Sequence, residues 1–166
     1  MNVNCNPFAE EDVRCEIQTG TVKNVVFKDD RAISEFRVSN PNHKFIVKLQ
    51  VDGCLINTSA RKCDFLLLVC NNPQRGVAYF IELKGGNLAD AIVQIESTIE
   101  ILSNQLKDFD FRCRIVQTRT PPTQVINQKK EVLLHFLKKA KFAANVRDVK
   151  VTELVQIKNT PYTETI

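Results

Sequence analysis

Two short apolar runs in the middle of the chain predict strands that are buried on both faces. The first run covers residues 63–69, and the second covers residues 76–84 and is ended by Gly85 and Gly86. Continuous apolar runs of this length are typical of interior strands, whereas strands with one solvated face alternate apolar and polar residues. Earlier in the chain, residues 31–38 and 44–51 predict a hairpin across the turn-forming residues 39–43.

A spacing of three and four residues predicts an amphipathic helix from about residue 88. The apolar residues at this spacing are Leu88, Ile92, Ile95, Ile99, Leu102 and Leu106. Asn87 is a suitable N-cap, and Asp90 in the first turn favours the helix dipole. Farther on, residues 112–118 predict a strand, residues 123–142 a second helix and residues 149–157 a last strand.

The order of these elements predicts an α/β protein with a mixed central β-sheet flanked by helices. No repeat, low-complexity tract or linker divides the chain, so residues 1–166 are expected to form a single domain. No window approaches the roughly 18 consecutive apolar residues of a membrane-spanning helix. The N-terminal residues lack the basic and apolar regions of a secretory signal, so a cytoplasmic protein is expected.

The cysteines show no spacing typical of a zinc site. The six are Cys5, Cys15, Cys54, Cys63, Cys70 and Cys113, with no Cys-x-x-Cys pair among them. Several lie within apolar strand patterns, where a reduced cysteine behaves as a small hydrophobic residue. Buried, reduced thiols are therefore predicted in preference to a metal site or disulfides.

The C-terminal third of the chain is basic. Residues 121–150 contain seven lysines and arginines against two acidic residues. Such a segment is compatible with an anionic partner, and equally with a solvated helix face. No phosphate-binding loop or dinucleotide-binding glycine motif is present, so nucleotide-triphosphate hydrolysis and dinucleotide binding have no support.

Ionisable residues interrupt both apolar strands. Asp64 lies in the first run, and Glu82 and Lys84 lie at the end of the second, where their spacing of two places them on one face with Leu83 behind them. Ionisable groups on an apolar strand are costly unless something compensates their charge. A divalent cation held by Asp64 and Glu82, with Lys84 facing a water or a phosphate, would compensate it.

These residues resemble the motif of the PD-(D/E)xK nuclease superfamily, over roughly residues 45–120. The match consists of Asp64, a gap of 17 residues, and Glu82-x-Lys84 at the tip of the next strand, followed by a helix. Cys63 stands where the motif has proline. The resemblance implies a restriction-endonuclease-like core and hydrolysis of phosphodiester bonds, in DNA above all, with Mg²⁺ or Mn²⁺ as cofactor.

The resemblance also implies a role for each site residue. Asp64, Glu82 and the backbone carbonyl of Leu83 would bind the metal, and Lys84 would orient the attacking water or stabilise the phosphate. Gln94, on the following helix, would lie near the metal-bound water, although it is equally well read as a polar boundary residue. Double-strand cutting by one site per chain would favour a homodimer.

Other interpretations of the same residues stay open. Asp52 or Glu35 would supply a third carboxylate, but Asp52 equally suits a turn before Gly53 and Glu35 an exposed strand position. One rival function is a catalytically inactive module of the same fold that binds nucleic acid or protein. Another is an unrelated α/β protein in which Glu82 and Lys84 form an ordinary surface pair.

Overall fold

A computed structural model describes residues 3–8, 13–28, 35–84, 87–117, 131, 151–155 and 162–166. Within these ranges the chain forms nine β-strands and one α-helix, after a single 3-10 turn at Val13–Cys15. The elements are β1 (Glu16–Gly20), β2 (Asn24–Lys28), β3 (Glu35–Ser39), β4 (Ile46–Gln50), β5 (Phe65–Cys70), β6 (Gly76–Lys84), α1 (Leu88–Leu102), β7 (Phe109–Gln117), β8 (Val151–Val155) and β9 (Tyr162–Thr165).

Six of these strands form the main sheet, in the order β1-β4-β5-β6-β7-β8. β1, β4, β5 and β6 pair antiparallel in turn, whereas β7 lies parallel to β6 and β8 parallel to β7. Helix α1 makes the crossover between β6 and β7 that parallel pairing requires. Its apolar stripe packs on one face of the sheet, as the sequence predicts.

The predicted α/β fold with helices flanking the central sheet is wrong. The protein is mostly β, and the described residues contain two mixed sheets and one helix. The face of the main sheet opposite α1 is covered by the small sheet, β2-β3-β9, rather than by a helix. Apolar side chains of β2 and β3 form one cluster there with those of β5 and β6. The predicted second helix at residues 123–142 lies outside the described residues, apart from Glu131.

The predicted hairpin between residues 31–38 and 44–51 is also wrong. β3 pairs with β2 and β9 in the small sheet, while β4 pairs with β1 and β5 in the main sheet. The intervening turn therefore carries the chain from one sheet to the other. The Asn40 side chain holds this turn, because its amide donates to the carbonyls of Val22 and Lys44 and its oxygen accepts from the Lys44 amide. His43 adopts a positive φ of 50° in the same turn.

The central elements agree with the sequence. β5, β6, β7 and β8 occupy the four predicted strand segments from residue 63 onward, and β6 has the predicted bounds. Helix α1 begins at Leu88 behind the predicted cap, since the Asn87 side chain accepts a hydrogen bond from the Asp90 amide. No helix within the described ranges is both long and apolar enough to cross a membrane.

The prediction that the cysteines are reduced is wrong for four of them. Disulfides join Cys5 to Cys70 and Cys15 to Cys54, while Cys63 and Cys113 are buried thiols. The sequence separations are 65 and 39 residues, so each bond joins cysteines that are distant in sequence. The pairs attach the N-terminal segment to the end of β5 and to the loop after β4.

Candidate metal and nucleic-acid site

The ends of β5 and β6 bring the two predicted acidic residues together. The strands pair antiparallel up to Phe65 opposite Ile81, so Asp64 and Glu82 both lie directly beyond the last paired residues. Ile81 and Leu83 point into the core beneath the small sheet, and strand alternation therefore directs Glu82 to the face covered by α1.

Asp64 is fixed by a hydrogen bond to the neighbouring strand. Its Oδ2 accepts from the backbone N–H of Leu83 at 2.8 Å, directly before the first residue of β5. A carboxylate has about four lone-pair sites, so this bond is compatible with cation ligation by the same group. The contact holds Asp64 against the Glu82–Leu83 segment.

Glu82 is almost completely buried. Its exposure is 1%, the lowest of the glutamates and aspartates in the described part of the chain. Burial of a carboxylate is costly unless hydrogen bonds or opposite charges compensate it.

Cys63 lies within electrostatic range of both carboxylates. Burial raises the pKa of the Cys63 thiol well above its usual value, and the negative charges of Glu82 and Asp64 raise it further. The thiol therefore stays protonated at neutral pH. It occupies the position before Asp64 as a small apolar group.

Two side chains of helix α1 form hydrogen bonds with the backbone that leads into β5. The Thr98 hydroxyl accepts from the Cys63 amide at 2.8 Å and donates to the Gln94 carbonyl at 2.7 Å. Gln94 Nε2 donates to the Lys62 carbonyl at 3.0 Å, and no described residue donates to its buried Oε1. Gln94 thus lies beside the entry to β5, next to the residues that lead to Asp64.

A cleft of about 340 Å³ opens next to the backbone segment that leads into β5. Its lining residues are Asp52, Ser59, Ala60, Arg61, Lys62, Asp90 and Gln94. The lysine and arginine each contact an acidic residue across the cleft: Lys62 Nζ lies 3.5 Å from Asp52 Oδ1, and Arg61 Nη1 lies 2.9 Å from Asp90 Oδ1. The wall is therefore charged, with both signs present.

The predicted metal ligands are oxygen atoms, the ligand type that a hard cation binds. Asp64 and Glu82 supply carboxylate oxygens of the type that Mg²⁺ binds. In an antiparallel strand the N–H and C=O of one residue point toward the same neighbour, so the Leu83 carbonyl faces the side on which its amide meets Asp64. Within the described ranges, no three His, Cys, Asp or Glu side chains form a metal-binding group.

The remaining predicted residues fall in different places. Lys84 ends β6 with its backbone paired to Gln117, and its side chain lies outside the described part. Asp52 lines the cleft through its contact with Lys62, so the structure brings it near the site. Glu35 does not join it, because this residue lies in the small sheet, where its carboxylate pairs with Arg37. The basic segment 121–150 lies outside the described residues, apart from Glu131.

Sequence reasoning missed the cleft and the residues that shape it. Arg61 and Lys62 directly precede Cys63 and Asp64, and their position before a buried strand was the signal available. Thr98 lies one helical turn after Gln94, so both belong to the same side of α1. These relations become meaningful only when the helix is placed over the strand ends.

In comparisons with known proteins, no family model, no curated protein and no solved structure matched this chain.

Proposed function

We propose that this protein is a metal-dependent nuclease that hydrolyses phosphodiester bonds in DNA. The observation that carries the proposal is the hydrogen bond from the Leu83 amide to Asp64 Oδ2, which holds one acidic residue against the strand that carries the other. The resemblance of Asp64 and Glu82-x-Lys84 to the PD-(D/E)xK nucleases supports it.

In the proposed mechanism, Asp64, Glu82 and the Leu83 carbonyl would hold Mg²⁺ or Mn²⁺ at the strand ends. A cation bound there would supply Lewis-acid stabilisation of the phosphate and lower the pKa of a bound water. Asp64 stays aligned because the Leu83 amide restrains it. Lys84 is assigned the role that the resemblance gives it, which is to orient the water or neutralise charge that develops on the phosphate.

Gln94 completes the proposed set of catalytic residues. Its side-chain amide is anchored through Nε2 on the Lys62 carbonyl, which leaves the amide oxygen as the atom that accepts from a water. A fixed amide of this kind orients a water without changing its protonation state. The same anchor ties helix α1 to the strand that carries Asp64.

A catalytically inactive nucleic-acid-binding or protein-binding module is the second candidate. The hydrogen bond from the Leu83 amide to Asp64 is compatible with this inactive module, because the same bond serves as a purely structural cap on the strand end. The two candidates differ in their response to metal. In the nuclease, Asp64 and Glu82 are ligands; in the module, they are not.

Assembly and compartment belong to the same proposal. A homodimer would place two single sites on the two strands of a duplex.

A cytoplasmic location is the one that the sequence predicts. The two disulfides favour an oxidising compartment instead, because disulfides are rare in cytosolic proteins. The redox state of the purified protein therefore bears directly on this part of the proposal.

Metal should stabilise the folded protein. A ligand that binds only the folded state at about tenfold its Kd adds about 1.4 kcal/mol to the free energy of unfolding. For a domain of this size, that corresponds to a rise in Tm of about 3–5 °C. We expect Mg²⁺ or Mn²⁺ to produce this rise in differential scanning calorimetry, and Asp64→Asn to remove it.

The matched control is Glu100→Gln, which removes one negative charge from the exposed side of α1. This variant should respond to metal as the parent does. Equal shifts in the parent and in Asp64→Asn would show that metal binds elsewhere, and no shift at millimolar metal would contradict a preformed site.

A further inference from the structure

The cleft beside Asp64 contains two basic residues that the proposed hydrolysis does not use. Lys62 lies two positions before Asp64 and its side chain is only 15% exposed, whereas Asp52, its partner across the cleft, is 61% exposed. Lys62 Nζ also donates to the Thr58 carbonyl, within the same loop. The ammonium group is therefore held in the cleft wall and does not extend into solvent.

Arg61 occupies the other side of the cleft. Its guanidinium contacts Asp90 in the first turn of α1, and both side chains are substantially exposed. A guanidinium has five N–H donors, so one contact with a carboxylate leaves donors for a second oxyanion. The planar donor pattern of arginine matches a phosphate, which binds in the same way as a carboxylate.

We propose that Arg61 and Lys62 bind a backbone phosphate of the DNA next to the scissile bond, exchanging their contacts with Asp90 and Asp52 for contacts with the phosphate. This inference rests on the proposed nuclease function and assigns the substrate-binding part of the same site. The Arg61–Asp90 pair is exposed and contributes little net stability, so exchanging it costs little. Lys62 is held more firmly, by Asp52 and the Thr58 carbonyl. Lys62 and Gln94 line the cleft beside the chain segment that leads to Asp64.

Asp52 and Asp90 would then act as internal competitors for the two basic groups. In the absence of DNA they hold Arg61 and Lys62 in place, and they balance the charge of the cleft. Removing one competitor should therefore strengthen DNA binding, whereas removing a basic group should weaken it. A cleft whose four charges only stabilise the fold would not produce these opposite effects.

The test measures the binding of a fluorescein-labelled DNA duplex by fluorescence anisotropy across a range of salt concentrations. Mg²⁺ is present, and all proteins carry Glu82→Gln so that the duplex stays intact. In this background, Arg61→Gln and Lys62→Gln should each weaken binding and reduce the log–log salt slope by about 0.9 per lost phosphate contact. Asp90→Asn should tighten binding by up to about fivefold, the amount that an exposed ion pair can contribute.

Two matched controls separate the cleft from general charge effects. Arg75→Gln removes a positive charge from the exposed turn between β5 and β6, at the opposite end of these strands from Asp64. Glu100→Gln removes a negative charge from the exposed side of α1. Both should leave the salt slope unchanged. If the controls change it as much as the cleft variants do, the proposed phosphate site is wrong.

Cleavage kinetics in the otherwise unaltered protein distinguish this inference from the nuclease proposal itself. Arg61→Gln should raise KM with little change in kcat, because it acts on substrate binding rather than on the reacting atoms. Cleavage that proceeds with unchanged KM and salt slope in both basic variants would overturn the inference and leave the nuclease function intact. A protein that shows the predicted binding changes without cutting would lose the nuclease proposal and retain the phosphate site. Absence of salt-dependent binding by the parent would overturn the inference.

Discussion

Replacing Glu82 by Gln is expected to reduce the rate of DNA cleavage by about 10³-fold or more. Loss of one carboxylate ligand removes several kcal/mol of metal-dependent transition-state stabilisation, and about 1.4 kcal/mol corresponds to each factor of ten. The substitution retains the shape of a side chain that is 1% exposed, so the fold should remain. Single-turnover cleavage of a labelled duplex at saturating Mg²⁺ measures the rate, and far-UV circular dichroism measures the fold.

The matching substitution on the facing strand should behave in the same way. Asp64→Asn is expected to reduce the rate as strongly as Glu82→Gln, and the double variant should be scarcely slower than either single variant. Residues that act on one transition state are strongly non-additive in their kinetic effects. Glu100→Gln on the outer side of α1 is the control and should cut at the parental rate. Additive losses from the two acids would indicate that they do not share a cation.

Removing either disulfide should destabilise the protein substantially. The loops closed by Cys5–Cys70 and Cys15–Cys54 span 65 and 39 residues. The chain-entropy model predicts a loss of about 4 kcal/mol in the free energy of unfolding for loops of this length. Urea unfolding of the paired substitutions Cys5→Ser with Cys70→Ser, and Cys15→Ser with Cys54→Ser, measures the effect of each bond.

A reducing agent provides the internal control for these variants. It should destabilise the parent, and it should have no further effect once all four paired cysteines are replaced. Alkylation in denaturant without reductant should label two thiols per chain, those of Cys63 and Cys113. Labelling of all six cysteines would show that the chain is reduced and would favour the cytoplasmic location.

The sequence predicted the core of the main sheet well. The apolar runs of β5 and β6 and the apolar spacing of α1 are short-range patterns. Such patterns predict the elements correctly because each element buries its own apolar face. Asn87 and Asp90 were identified as the helix start for the same reason, since the cap needs only neighbouring residues. The contact of Asp64 with Leu83 then depends on the antiparallel pairing of β5 with β6.

The small sheet could not be predicted in the same way. In β2 the residues alternate exposed and buried from Asn24 to Lys28, but the strand is only five residues long. Its partner β3 also pairs with β9, which lies parallel to it and more than 100 positions later in the chain. Pairing at such distance is decided by the packing of the whole sheet, so short-range periodicity favoured the wrong hairpin. The disulfide pairs could not be predicted from short-range patterns either, because each depends on long-range contacts.

The same distinction between short-range patterns and long-range contacts applies to the residues of the candidate site. The acidic residues were identifiable because carboxylates on apolar strands are anomalous, and the anomaly is visible in sequence. The roles of Arg61, Lys62 and Thr98 were not, because these residues are ordinary in type and acquire significance only when α1 lies over the start of β5. Asp52 and Glu35 looked alike as third carboxylates, and only the sheet arrangement separates them: Asp52 lines the cleft and Glu35 lies in the small sheet.

Incubation of the purified protein with nucleic acid tests the central claim most directly. Plasmid DNA, single-stranded DNA and RNA are each incubated with Mg²⁺ or with EDTA, using the parent and Glu82→Gln prepared in parallel. We expect the parent to cut DNA in Mg²⁺, EDTA to stop the reaction, and Glu82→Gln to leave the DNA intact under the same conditions. Cleavage of RNA alone would correct the substrate and retain the chemistry. Cutting that persists in EDTA, or equal cutting by Glu82→Gln, would contradict a nuclease built on Asp64 and Glu82.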